Sequence, residues 1–270
     1  MPELPEVETV KRGLSQIINK EIIDIFRSNK NLRFASSLNL EILKNTKISK
    51  INRRARYLII DFNNKTSAIF HLGMSGKITL KNNFEQLKHD HFAIKFHDNS
   101  FLIFNDARRF GFIDLIYTKD LENHKMLSKL GLEPLDDNFN YKYLKEKLKN
   151  KSSNIKTTMM NNEIVVGVGN IYINESLFDA KISPLRSANS LNDLEIKKLI
   201  NSIKEIIEKA INLGGSSISD YVNTKGDLGY FQNNFKTYGR NNENCLQCKN
   251  TIERIVQNGR SSFFCNKCQK

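Results

Sequence analysis

Four cysteines, all within the last 26 residues, constrain this 270-residue chain more than any other feature. They read Cys245-Leu-Gln-Cys248, then sixteen residues, then Cys265-Asn-Lys-Cys268. Each C-x2-C knuckle lets two thiolates converge on one ion, and the segment between them can return the second pair as a hairpin. That spacing suits tetrahedral Zn²⁺. Two disulfides are the competing reading, but the chain opens with neither the cationic start nor the apolar run of a secretion signal. The expectation is one structural Zn²⁺ per chain, held by Cys245, Cys248, Cys265 and Cys268. A zinc ribbon binds DNA, RNA or protein, so the partner stays open on this evidence alone.

Charge narrows it. Lys and Arg outnumber Asp and Glu by 42 to 29, a formal net charge of +13. The excess is concentrated in residues 225–270, where eight Lys/Arg face three Asp/Glu. A polyanion is the expected partner, nucleic acid or an anionic membrane, with a Lys-rich solubilising surface as the bland alternative. No apolar run reaches the roughly 18 residues of a membrane helix. The length predicts two domains, each large enough for its own core.

The first eight residues hold two prolines and three glutamates. Pro5 suits a first helical turn, Glu6 and Glu8 suit the positive end of a helix dipole, and Val7, Val10, Leu14, Ile17 and Ile18 recur at helical spacing. A helix therefore begins almost at once and holds Pro2 and Glu3 at its N-terminus. Short apolar runs follow at 56–62, 67–72, 77–80, 92–96, 101–104 and 112–117, separated by turn residues such as Asn63-Asn64 and Asp98-Asn99. They predict a β-sandwich. From Tyr141 the pattern is helical, ending with an amphipathic helix over 193–212 that Gly214-Gly215 terminates. Residues 216–234 read as a long loop.

Four stretches carry possible chemistry. His71-Leu-Gly-Met-Ser-Gly76 presents Met74 on a tight turn, incidental or a wedge. Asn105-Asp-Ala-Arg-Arg-Phe-Gly111 joins two guanidinium groups to an apolar ring, suited to base recognition and intercalation or to a surface salt-bridge loop. Val166-Gly-Val-Gly-Asn170 exposes backbone N–H groups before a helix, for phosphate binding or for close packing. Asn258-Gly-Arg260 lies between the cysteine pairs, where a hairpin tip would hold it.

Taken together with Pro2-Glu-Leu-Pro-Glu6, Arg53-Arg-Ala-Arg-Tyr57, Lys88-His-Asp-His91, Gly229-Tyr-Phe-Gln232 and Tyr238-Gly-Arg240, these motifs resemble the bacterial formamidopyrimidine-DNA glycosylases (the Fpg/MutM group) over the whole chain. The resemblance implies an α+β protein: an N-terminal β-sandwich with a leading helix over 1–118, a linker over 119–140, a helix-two-turns-helix DNA-binding domain over 141–235 and a zinc finger over 236–270. It implies a monomeric cytoplasmic enzyme, nucleoid-associated through its DNA, with duplex crossing a cleft between sandwich and helical domain. The activity implied is removal of oxidised purines, 8-oxoguanine and formamidopyrimidines, followed by strand cleavage.

The resemblance also assigns roles. Met1 is removed, and the secondary amine of Pro2 becomes the nucleophile. That is chemically sensible, because an α-amino group has a pKa of about 7.7–8.0 against about 10.4 for a lysine, and a helix N-terminus lowers it further. Glu3 protonates and opens the sugar ring. Arg56 stands at a catalytic position, and Arg260 grips phosphate and assists the last elimination. Met74, Arg108 and Phe110 fill the gap left by the flipped base. His71, His89, Lys151 and Asn170 grip phosphates around the kink.

Two departures stand out. Ala107 replaces a proline of the family's loop, which loses a rigid residue but keeps its two arginines. Arg56 replaces the family's lysine in Arg-Arg-x-Lys-Tyr-Leu, a residue treated as catalytic. The rival readings are an endonuclease VIII-like enzyme for oxidised pyrimidines and a non-catalytic damage-binding protein.

Overall fold

The computed structural model describes residues 1–217 and 222–270. The loop expected over 216–234 therefore includes four residues, 218–221, outside the described ones. The chain forms two compact units, each of two segments: Met1–Ser128 with Leu213–Tyr230, and Lys129–Asn212 with Phe231–Lys270.

In the first unit, helix α1 spans Leu4–Gly13. It starts where the sequence predicts, because Pro5 needs no N–H in the first turn and the Glu6 carboxylate accepts the otherwise orphaned N–H of Glu3 at 2.8 Å. It ends sooner than the apolar spacing suggests. A single 3-10 turn at Ser15–Ile17 follows, burying Leu14 and Ile17 but leaving Ile18 exposed.

Two four-stranded antiparallel sheets make the sandwich. One has the order β1-β6-β7-β5 and contains β1 (Ile22–Arg27), β5 (Gly76–Lys81), β6 (Asp90–Phe96) and β7 (Phe101–Asp106). The other has the order β2-β3-β4-β8 and contains β2 (Ile48–Arg54), β3 (Tyr57–Phe62), β4 (Thr66–His71) and β8 (Phe112–Tyr117). Leu58, Ile60, Phe70, Phe92, Ile94 and Phe104 fill the space between them, with Val7 and Val10 of α1 joining the same core. Strands β1 and β2 escape sequence reading because polar residues interrupt their apolar runs, Asp24 in the first and Ser49, Lys50 and Asn52 in the second. Each also carries a register shift against its partner, between Ile22 and Asp24 and between Ile48 and Lys50.

The second unit contains α2 (Tyr141–Leu148), α3 (Ile155–Met159), α4 (Asn170–Asp179) and α5 (Asp193–Asn212), with a hairpin of β9 (Glu253–Gln257) and β10 (Arg260–Phe264). The buried stripe of α5, Ile196, Leu199, Ile200, Ile203, Ile206, Ile207, Ala210 and Ile211, follows the spacing read from the sequence. No helix among the described residues is long and apolar enough to cross a membrane.

Candidate catalytic and nucleic-acid-binding residues

At the head of α1, Pro2 and Glu3 are both buried. Glu6 fixes this end from two sides: one carboxylate oxygen accepts the N–H of Glu3, and the other accepts the N–H of Ser216 at 2.7 Å. Gly215, in the left-handed region at φ +79°, makes room for it, since a Cβ there would stand 2.8 Å from Glu6 Oε1. The chain end that sequence reading places at a helix start is thus tied to a segment more than 200 positions away. No signal in the sequence marks that link.

The turn between β2 and β3 places Arg53 and Arg56 differently. Arg53 is spoken for, its Nε donating to Glu8 at 2.9 Å and its Nη1 to the Ala55 carbonyl at 3.0 Å. Burial would raise the Glu8 carboxyl, but hydrogen bonds from Arg53 and Lys11 outweigh it and hold the pKa below the ordinary value. Arg56 has no carboxylate partner among the described residues. Its Nη1 reaches the Met1 sulfur at 3.9 Å, and its buried Nε is unpaired.

His71, at the end of β4, stacks on Phe112 with ring centroids 5.5 Å apart and packs against Tyr57. Burial, with the nearby cations Arg56 and Arg33, pushes its pKa down to about 4. The N–H of Gly73 donates to Nδ1 at 3.2 Å, which puts the ring proton on Nε2. His71 is therefore a neutral hydrogen-bond donor aimed by its own turn.

The structure brings Met74, Arg108 and Phe110 together through one residue that the sequence motifs include but do not rank, Asp106. Fully buried, it accepts the Ser75 hydroxyl at 2.5 Å and the Arg108 N–H at 3.3 Å on Oδ1, and the Gly111 N–H at 2.7 Å on Oδ2. The two turns approach so closely that a Cβ on Gly73, at φ +61°, would lie 2.5 Å from the Gly111 nitrogen. Met74 and Phe110 remain 41% and 46% exposed, and the Arg108 guanidinium stacks on the Phe110 ring at 4.8 Å. Large apolar side chains on tight, braced turns have the form of a wedge. His89 is half-buried. His91 is buried, donating Nε2–H to the Asp106 carbonyl at 3.0 Å and accepting from Ser28 on Nδ1 at 3.0 Å, so it supports the same turn.

In the second unit, Asn170 is the first residue of α4 and donates its amide to the Ser261 carbonyl at 3.1 Å. Lys156, only 1% exposed, donates to the same carbonyl at 2.8 Å and to the Ser262 hydroxyl at 2.7 Å. Asn174 accepts the Phe263 N–H at 2.7 Å. Strand β10 is thereby pinned, and Arg260 stands exposed at the turn of the hairpin, as its place between the cysteine pairs predicts. Glu175 accepts three successive backbone N–H groups, of Lys236, Thr237 and Tyr238, at 2.7–2.9 Å. Lys156 and Glu175 went unread because burial of a charge leaves no pattern in sequence. Lys151 is exposed just beyond α2.

The ligand atoms of Cys245, Cys248, Cys265 and Cys268 lie within 4.8 Å of one another. Two of the Sγ···Sγ distances are 3.9 and 3.4 Å, far from a disulfide at about 2.05 Å and near the roughly 3.8 Å edge of a tetrahedron with 2.3 Å metal–sulfur bonds. This cluster can coordinate a metal. Phe178, Ile252 and Phe263 pack around it.

Comparison with known proteins agrees with this geometry along the whole chain. Three family models match: the formamidopyrimidine-DNA glycosylase N-terminal domain over residues 1–113, its H2TH domain over 130–222, and a zinc finger found in FPG and IleRS over 242–270. The formamidopyrimidine-DNA glycosylase of Rickettsia bellii is 48% identical over 273 residues, covering 100% of both chains. That of Wolbachia pipientis subsp. Culex pipiens is 47% identical with the same coverage. Among solved structures, a Lactococcus lactis FPG mutant bound to Fapy-dG-containing DNA superposes with a TM-score of 0.91 at 38% identity, covering 100% of each chain. The Thermus thermophilus MutM (FPG) protein superposes at 0.88, with 32% identity over 99% of this chain and 98% of that one.

Proposed function

The chain belongs to the bacterial formamidopyrimidine-DNA glycosylase family, and from that premise we infer its chemistry. It is a bifunctional DNA glycosylase and AP lyase that removes oxidised purines from double-stranded DNA. The observation that carries the residue-level reading is the buried Pro2-Glu3 pair at a helix start braced by Glu6.

With Met1 removed, the Pro2 nitrogen attacks C1′ of the damaged nucleotide. The glycosidic bond breaks, its electron pair leaves with the base, and the base takes up a proton. Glu3 donates a proton to the sugar-ring oxygen as the C1′–O4′ bond opens, leaving an iminium between Pro2 and C1′. The iminium acidifies the C2′ proton, whose loss expels the 3′ phosphate in β-elimination. A second, δ-elimination expels the 5′ phosphate, with Arg260 assisting.

Positioning belongs to the remaining candidates. Met74 and Phe110 fill the space vacated by the flipped nucleotide, and Arg108 faces the orphaned cytosine. Arg56, His71 and His89 bind phosphates from the first unit; Lys151, Asn170 and Arg260 bind them from the second. Arg56 keeps the charge of the family's lysine and adds a planar two-point fork, but it is a poor proton donor. The four-cysteine cluster holds one structural Zn²⁺, which supplies folding energy to the hairpin carrying Arg260 and takes no part in bond breaking. The enzyme works as a monomer in the cytoplasm, on nucleoid DNA. We divide it into catalytic, linker, helical and finger segments at 118, 140 and 235.

Borohydride trapping on duplex containing 8-oxoguanine opposite cytosine tests this reading. A covalent adduct at Pro2 of the Met1-processed chain is the expected result. An adduct at an internal lysine, or none, overturns the assignment.

A further inference from the structure

Residues 141–151 contain five lysines and one glutamate, and of these lysines only Lys151 belongs to the proposed phosphate contacts. Lys142, Lys145 and Lys149 stand at i, i+3 and i+7, so they share one face of α2 and its C-terminal end. That face lines a groove of about 500 Å³, shared with Ala188, Asn189 and Leu191. Lys145 is held by Asp193 at 2.9 Å and by the Tyr141 hydroxyl at 2.7 Å. Lys142 and Lys149 have no carboxylate partner among the described residues, although Glu146 lies one turn from both. Lys197, from α5, adds a further cation 5.1 Å from the Tyr141 ring centroid, with Lys145 at 5.3 Å from the same ring.

A basic helix end is often no more than a match to its own dipole and to solvent. Two features go further here. The cluster recruits Lys197 from a different helix, which the α2 dipole does not explain. The groove wall also joins directly to Lys151, since the N–H of Asn189 donates to the Lys151 carbonyl at 3.0 Å. The lysine face therefore borders the one residue of this stretch that the proposed function places on a phosphate.

We propose that the lysine face of α2, with Lys197, is a second phosphate-binding track that takes the duplex backbone flanking the lesion and continues the contact made at Lys151. It rests on the reading of this chain as a duplex-binding glycosylase. The track serves affinity and residence on DNA, not base recognition, because ammonium groups on flexible stems carry charge without base-edge geometry.

The test compares binding to non-cleavable abasic-analogue duplexes of about 12 and about 30 base pairs over a range of salt. The wild-type chain is first compared on damaged and undamaged duplex; no preference there overturns the underlying reading and the track with it. The triple variant Lys142→Gln, Lys149→Gln, Lys197→Gln leaves the Lys145–Asp193 pair intact, and its thermal midpoint is measured alongside. On the longer duplex, its slope of log K against log salt should fall by about two to three, with affinity lower by roughly 10- to 100-fold near 0.1 M salt. On the shorter duplex the loss should be much smaller. A charge-matched control, Lys50→Gln, Lys65→Gln, Lys119→Gln, should keep the wild-type slope. Equal losses on both duplexes, equal losses in the control, or an unchanged slope on the longer duplex would each overturn the track.

Discussion

The Arg56 guanidinium reaches the Met1 sulfur with Nη1 at 3.9 Å, while its buried Nε has no hydrogen-bond partner among the described residues. A thioether is a weak acceptor, and Arg53 has already taken Glu8. Among the described residues the guanidinium has no carboxylate partner, and loss of Met1 also removes that sulfur contact. We propose that a DNA phosphate takes that place, accepting two N–H groups at once.

That fork bears on the departure from the family's lysine. An arginine, with a pKa above about 12, binds phosphate well and gives up protons poorly. Arg56→Lys should selectively accelerate 8-oxoguanine excision and change abasic-site cleavage little, measured in single turnover on both substrates. Rates unchanged or lower on both would mean that arginine serves this position fully.

The neutral state of His71 has a pH consequence. Its pKa is lowered to about 4 from an ordinary value near 6.5, by burial first and by Arg56 and Arg33 second. The unfolded chain therefore binds this proton more readily than the folded one, and the stability that His71 contributes falls as pH drops from about 6.5 toward 4. In NMR its ring should not titrate between pH 5.5 and 8, roughly the range over which an unperturbed histidine changes charge. His71→Ala should weaken DNA binding without altering its salt slope, whereas Arg260→Ala should reduce the slope by about one.

At Gly215 a backbone requirement and a steric one coincide. Gly215→Ala should destabilise the protein by about 1–2 kcal/mol from the left-handed φ alone, with a further loss as the new Cβ presses on Glu6. Thermal unfolding reads the first effect. The second should appear as slower borohydride trapping at Pro2, because Glu6 holds the Glu3 N–H that fixes the chain end.

Metal removal should act on one part of the molecule. Metal analysis should find one Zn²⁺ per chain, and Cys248→Ser should abolish both metal and DNA binding. The helices of the second unit should survive in far-UV circular dichroism, since α4 and α5 keep a buried core of their own. DNA binding that persists without metal would mean that the hairpin does not hold the duplex.

The sequence by itself determined the features whose cause is local. Two C-x2-C pairs dictate a four-sulfur cluster, because three-residue spacing alone turns two thiols to one point. Pro5 and Glu6 dictate where α1 begins. The stripe on α5 needs only its period, and six of the eight sandwich strands show in their apolar runs. Tertiary structure decided the rest. Strands β1 and β2, whose apolar runs are broken by polar residues, become strands only by pairing with β6 and β3. Asp106 became the brace of two turns because β5 pairs with β7, which brings Ser75 to it across 31 positions. Glu6 met Ser216 across 210 positions and Lys156 met Ser262 across 106. A charged side chain looks the same in sequence whether it will be solvated or buried against backbone groups, and only the folded chain supplies the partner that makes burial tolerable.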